Sequence, residues 1–122
     1  PDLADLRHHV AHLQFVRPED QQRFGRLGIA ANLQSLWACL DDQMVDLVLP
    51  AVGPERAAWQ YPWAALLAGG ARLVSGSDWP VSTLAADYVR VVETAQELTA
   101  HLTENEREAV FSGTATGVYH IQ

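Results

Sequence analysis

Three short apolar runs, each followed by a helix-length stretch, constrain what this chain can fold into more than any other feature. The first, "HHVAHLQFV" at residues 8–16, alternates enough to read as a strand, with Val10, His12, Gln14 and Val16 on one face. Arg17-Pro18-Glu19-Asp20 then opens a helix that runs to about Leu27 and stops at Gly28. The second run, "GIAANLQSLW" at 28–37, reads as another strand. An aspartate-rich helix from Asp41 to Leu49 follows and ends at Pro50. A helical stretch over 53–70 is broken at Tyr61-Pro62 and closed by Gly69-Gly70. The third strand, Arg72 to Ser75, leads into Asp78. Beyond it, Leu84 to Leu102 reads as a long amphipathic helix, and Thr103 with Glu106 forms a capping box for the next. The end, "SGTATGVYHI", reads as a short helix or turn with Tyr119 and Ile121 packing back. Strand, helix, strand, helices, strand, helices is the order of parallel βαβ units.

Length limits how many such units there are. A complete (β/α)8 barrel needs at least roughly 200 residues, and this chain has 122. It reads as one α/β domain over residues 1–122, either part of a barrel or a small three-stranded layer. Both leave open sheet edges that need covering, by the remainder of a barrel or by a second copy of the chain. The formal charge of −7 argues against nucleic acid or an anionic membrane as partner. All eight basic residues are arginine, which rules out lysine chemistry within the chain. The single Cys39 excludes an internal disulfide and suits a reducing compartment, the cytoplasm. Pro1-Asp2-Leu3 lacks the features of a signal peptide, and no apolar stretch approaches the roughly 20 residues that span a bilayer. A start at Pro1 rather than Met points to processing or a fragment.

Chemistry concentrates where the strands end. In "ARLVSGSDWPVS", residues 71–82, the apolar run gives way to small residues that let backbone or ligand come close. Asp78 then stands at the carboxyl end of a strand, where α/β proteins place their sites. The alternative is that Asp78 only caps the next turn. His12, Gln34 and Asp78 fall at or near the ends of three different strands, and Trp37 and Trp79 lie just past two of them. In a barrel those ends converge on one rim. A histidine and an aspartate suit a zinc-type metal, which makes hydroxide available near neutral pH while Asp78 moves the proton. Two ligands on different strands are still no metal motif, and His12 reads equally as a core or surface histidine. Trp37 and Trp79 read as pocket walls for an aromatic or acyl group, or as ordinary packing. His8 and His9 sit where the first strand begins, and His101 and His120 read as solvated or capping. Trp59, Tyr61 and Trp63 read as helix packing, Cys39 as an inert thiol, and Asp41 and Asp42 as a helix N-terminus.

The chain also resembles a known family. Arg7, Val10, His12 and Gln14 fit the pattern Arg-x-x-Ile-x-His-x-Gln with valine for isoleucine. Pro18-Glu19-Asp20 and Arg23-Phe24-Gly25-Arg26-Leu27-Gly28 follow, then a Gln34-centred strand and Gly76-Ser77-Asp78-Trp79-Pro80-Val81. Together these resemble the later part of the amidohydrolase superfamily, in the branch of D-aminoacylase-like and N-substituted formamide deformylase-like enzymes. The resemblance implies a metal-dependent (β/α)8 hydrolase, to which this chain supplies strands six, seven and eight and the closing helices. It implies that His12 is the strand-six metal ligand, and Asp78 the strand-eight ligand and general base. Gln34, Trp37 and Trp79 are then expected to bind substrate. The family's early His-x-His motif, its strand-four ligand and its strand-five histidine are not among these residues. After Val81 the likeness shifts toward the closing helices of the decarboxylase-like amidohydrolases. With only part of the ligand set, the isolated chain is expected to bind zinc weakly or not at all, and to be inactive. The complete form is expected to hydrolyse a C–N bond of an amide-type small molecule. The alternative is an inactive truncated relative acting as an assembly module.

Overall fold

A computed structural model of the chain describes residues 6–121, so Pro1, Asp2 and Leu3 lie outside the described residues. Three parallel strands form one sheet in the order β1 (His9–Val10), β2 (Ala30–Leu33), β3 (Arg72–Ser75). Register pairs Val10 with Ala31, and Ala31 with Leu73. The third strand has the bounds the sequence predicts. The first two are shorter, and the first changes most. His12 and Leu13 take positive φ (65° and 49°), which ends the ladder after Val10. Phe15 instead bridges Gln60 in antiparallel fashion. The expected shared face of Val10, His12, Gln14 and Val16 therefore does not form: Val16 is buried while Val10 and His12 are exposed.

The connections are helical. Helix α1 (Pro18–Leu27) begins on Pro18, whose missing N–H costs nothing there, with Glu19 and Asp20 beside the positive end of its dipole. Gly28 closes it at φ 64°, a left-handed conformation glycine adopts freely, and its N–H bonds back to Phe24 and Gly25. After β2, Asp41 caps a wide π-type turn (Met44–Val48) that continues into α2 (Leu49–Ala57). Pro50 does not end this helix. It sits in the first turn of α2, just past the widened turn that absorbs it. The real break lies at Gly53-Pro54, and α3 (Trp63–Ala68) follows the Tyr61-Pro62 break. Beyond β3, a short 3-10 turn (Val81–Leu84) precedes α4 (Tyr88–Leu98), which starts later than expected because Asp87 accepts from the Arg90 N–H as its N-cap. Thr103 and Glu106 make the expected capping box at α5 (Glu104–Glu108), which runs on through a wide turn (Ala109–Gly113) into α6 (Thr114–Tyr119). Tyr119 packs edge-on against His9, whereas Ile121 is exposed. Among the described residues, no helix is long and apolar enough to cross a membrane.

Alternation along the strands divides the core. Ala31, Leu33 and Leu73 face a helical layer with Leu66, Val110, Phe24 and Trp63. Ala30 and Val74 face the other way and are covered by Val118 and Ala115 of α6. On that second face, Asn32 and Val74 are register partners, and Gln34 and Asp78 lie further toward the carboxyl ends.

Candidate active site

Beyond Leu33 the chain turns into a single 3-10 turn, Ser35–Trp37, closed by the Trp37 N–H on the Gln34 carbonyl. A 3-10 turn has three residues per revolution, so side chains three apart lie on one side. Gln34 and Trp37 are such a pair. Both reach Asp78: Gln34 Nε2 donates to Oδ1 at 2.6 Å and Trp37 Nε1 to Oδ2 at 2.9 Å. The backbone N–H of His12 donates to Gln34 Oε1 at 2.8 Å. A side chain from the middle strand thus links the ends of both outer strands.

Asp78 lies three residues past β3 at φ 54°, half-buried. It does not cap the following turn through its side chain: Pro80 occupies that position without a side-chain bond. Only the Asp78 carbonyl is used there, accepting from the Ser82 N–H. Gln34 is 6% exposed, and Trp37 is half-buried. Trp79, joined to Pro80 by a cis peptide bond, stands apart from the cluster at 67% exposed. Of the five residues singled out in the sequence, the structure joins His12, Gln34, Trp37 and Asp78 in one chain of hydrogen bonds and leaves Trp79 outside it. The part His12 plays in that chain is its backbone, while its ring is exposed.

Beside the cluster opens a cavity of about 280 Å³, walled by His12 and Trp37 with Gln14, Asp41, Met44 and Tyr61 among others. Tyr61, at φ 43° between two helices, packs edge-on against Trp63 of α3 as expected and also lines this cavity. Burial first, then Cys39 and Asp41, raise its hydroxyl above the ordinary value of 10.0, so it is a hydrogen-bond donor at neutral pH. The Tyr-Pro break was the available signal: a residue held between two helices has its side chain free to point elsewhere.

The metal question turns on donors. His12 and Asp78 offer an imidazole nitrogen and a carboxylate, the right kinds for zinc. Both Asp78 oxygens already accept one hydrogen bond each. Among the described residues, no three His, Cys, Asp or Glu come together in a way that could hold a metal ion. The donors fit in kind but not in number.

The polar cluster lies at the carboxyl ends of the strands, where parallel α/β folds place their sites. Comparison with known proteins gives the class. Residues 2–107 match the amidohydrolase family, and the chain belongs to that family. L-fucono-1,5-lactonase of Burkholderia multivorans (strain ATCC 17616 / 249) is 33% identical over 121 residues, 98% of this chain and 33% of that protein. Protein LONG AFTER FAR-RED 3 of Arabidopsis thaliana is 41% identical over 81 residues, 66% of this chain and 13% of that protein. The chain spans a third or less of the length of these relatives. No solved structure matches it at comparable stringency.

Proposed function

We propose that this chain is the closing part, strands six to eight, of a metal-dependent amidohydrolase barrel that hydrolyses a C–N bond of an amide-type small molecule. The observation that carries this reading is the Asp78 carboxylate, held beyond the end of β3 by Gln34 and Trp37 rather than spent on a cap. The sheet supports it too. Its three strands are parallel and follow chain order, as neighbouring strands of a barrel do.

Asp78 takes the proton from the attacking water and returns it to the leaving nitrogen, which neutral amines need in order to depart. His12 and Asp78 would be this chain's share of the ligands to a divalent metal, zinc by donor type. When bound, such an ion polarises a carbonyl and activates water. The cavity beside His12 and Trp37 receives part of the substrate, and exposed Trp79 meets it at the rim. A second reading keeps the site and changes the bond: the lactonase relative favours a cyclic ester, whose carbonyl needs the same proton acceptor. The alternative of a truncated, inactive assembly module is not favoured by the match to the amidohydrolase family or by the lactonase relative.

The test is Asp78→Asn in the full-length protein, assayed on 4-nitroacetanilide and on D-glucono-1,5-lactone. The rate should fall by roughly 10²–10⁴-fold, the usual cost of losing acid–base catalysis. The melting midpoint should move by no more than one lost hydrogen bond allows. An active Asp78→Asn protein ends the catalytic reading, and the choice between the probes decides amide or lactone.

A further inference from the structure

Gln34 and Trp37 use their polar atoms inside the protein, and the chemistry of those atoms settles what they face. A backbone N–H can only donate, so the bond from His12 fixes Gln34 Oε1 as the acceptor and leaves Nε2 to meet Asp78. The Trp37 indole N–H is likewise a donor only. Each Asp78 oxygen therefore faces one obligate donor, at 2.6 and 2.9 Å. A carboxylate gripped through a single oxygen swings about its last torsion, whose energy well is broad. Gripped through both, it cannot. The two donors also come from one tight turn, so they move together.

Asp78 needs such a grip. Its backbone has left the strand at φ 54°, and no ladder bond orients its side chain. Each oxygen keeps lone-pair capacity beyond the one hydrogen bond it accepts.

We infer that Gln34 and Trp37 are positioning residues: a two-point clamp that aims the Asp78 carboxylate, rather than groups that bind substrate through their own amide and indole. This rests on the role of Asp78 proposed above. Misplacing a reacting group by an ångström is enough to cost much of a rate enhancement, so the clamp acts on turnover and not on affinity.

The variants are Trp37→Phe, which keeps a ring and deletes the donor, and Gln34→Met, which keeps the length of the side chain and deletes the donor without adding a charge beside Asp78. Asp78→Asn and the Trp37→Phe/Asp78→Asn pair complete the set, all in the full-length protein. With whichever of the two probes above is turned over, each clamp variant should lower kcat roughly 10-fold or more, about what a hydrogen bond to a charged group contributes. KM should stay unchanged in the Gln34 variant, whereas Trp37→Phe, whose ring also walls the cavity, is read on kcat alone. The pair should be no slower than Asp78→Asn alone, because the residue acted through is already gone. A raised KM at unchanged kcat, or additive losses in the pair, overturns the clamp while leaving Asp78 catalytic. An Asp78→Asn protein of full kcat overturns the catalytic reading and the clamp's purpose with it.

The hydrogen bond is also read without turnover. The Trp37 indole N–H resonance, identified by its disappearance in Trp37→Phe, should move in Asp78→Asn while the remaining indole resonances stay. If it does not move, there is no clamp, whatever the kinetics show.

Discussion

A side chain at position 76 would run into the Asn32 amide, whose Oδ1 is buried and has no hydrogen-bond partner among the described residues. Gly76 and Asn32 lie two residues before Asp78 and Gln34, and a side chain at 76 fits only if the Asn32 amide gives way. Gly76→Ala is expected to lower stability by about 1–3 kcal/mol, the usual cost of overfilling a packed site, read as a shift of the denaturant midpoint. An unchanged midpoint would mean that Asn32 swings aside at no cost. Much at this scale was legible in the sequence. That His12, Gln34 and Asp78 come together is readable because strand ends converge, and the close approach at Gly76 because small residues admit near neighbours. What escaped was which atom of each residue is used. That depends on positive φ at His12, Leu13 and Asp78, conformations that non-glycine residues adopt too seldom for a sequence to announce.

The elements divide in the same way. β3 and the Thr103–Glu106 box were readable because each is local: a bounded apolar run, and a side chain three residues from its partner. The early end of β1 and the passage of the helix through Pro50 were not, since a neighbouring segment and a widened turn decide them. The capping box carries a prediction of its own. Hydrogen bonds from Thr103 hold the Glu106 carboxyl below its ordinary 4.5. A depressed carboxylate stabilises above its unfolded pKa and loses that contribution as pH falls through the folded one. Thr103→Ala should therefore lower the melting temperature at pH 7, and the gap to wild type should narrow below pH 4.5. A gap that is constant from pH 7 to pH 3 would show that the carboxylate takes no part.

Among the described residues, β1 and β3 both present unpaired edges, and Val10 on the outer strand is exposed. Leu40, Leu47, Trp79 and Leu84 add large apolar surface on the loops and helical turns that follow β2 and β3. Water tolerates neither an open strand edge nor a broad apolar patch for long. The 122-residue chain by itself is expected to associate, and light scattering should read a dimer or larger. A clean monomer with a cooperative melt would show that the edges are content as they are. One bond spans the sheet in a way that bears on ancestry. The tie from β1 to Gln34 runs through the backbone of His12, which every amino acid but proline possesses. At φ 65° that backbone suits glycine, asparagine and aspartate best among replacements, so in descendants of this chain only a few groups can take the place of the imidazole and leave the brace beneath it intact.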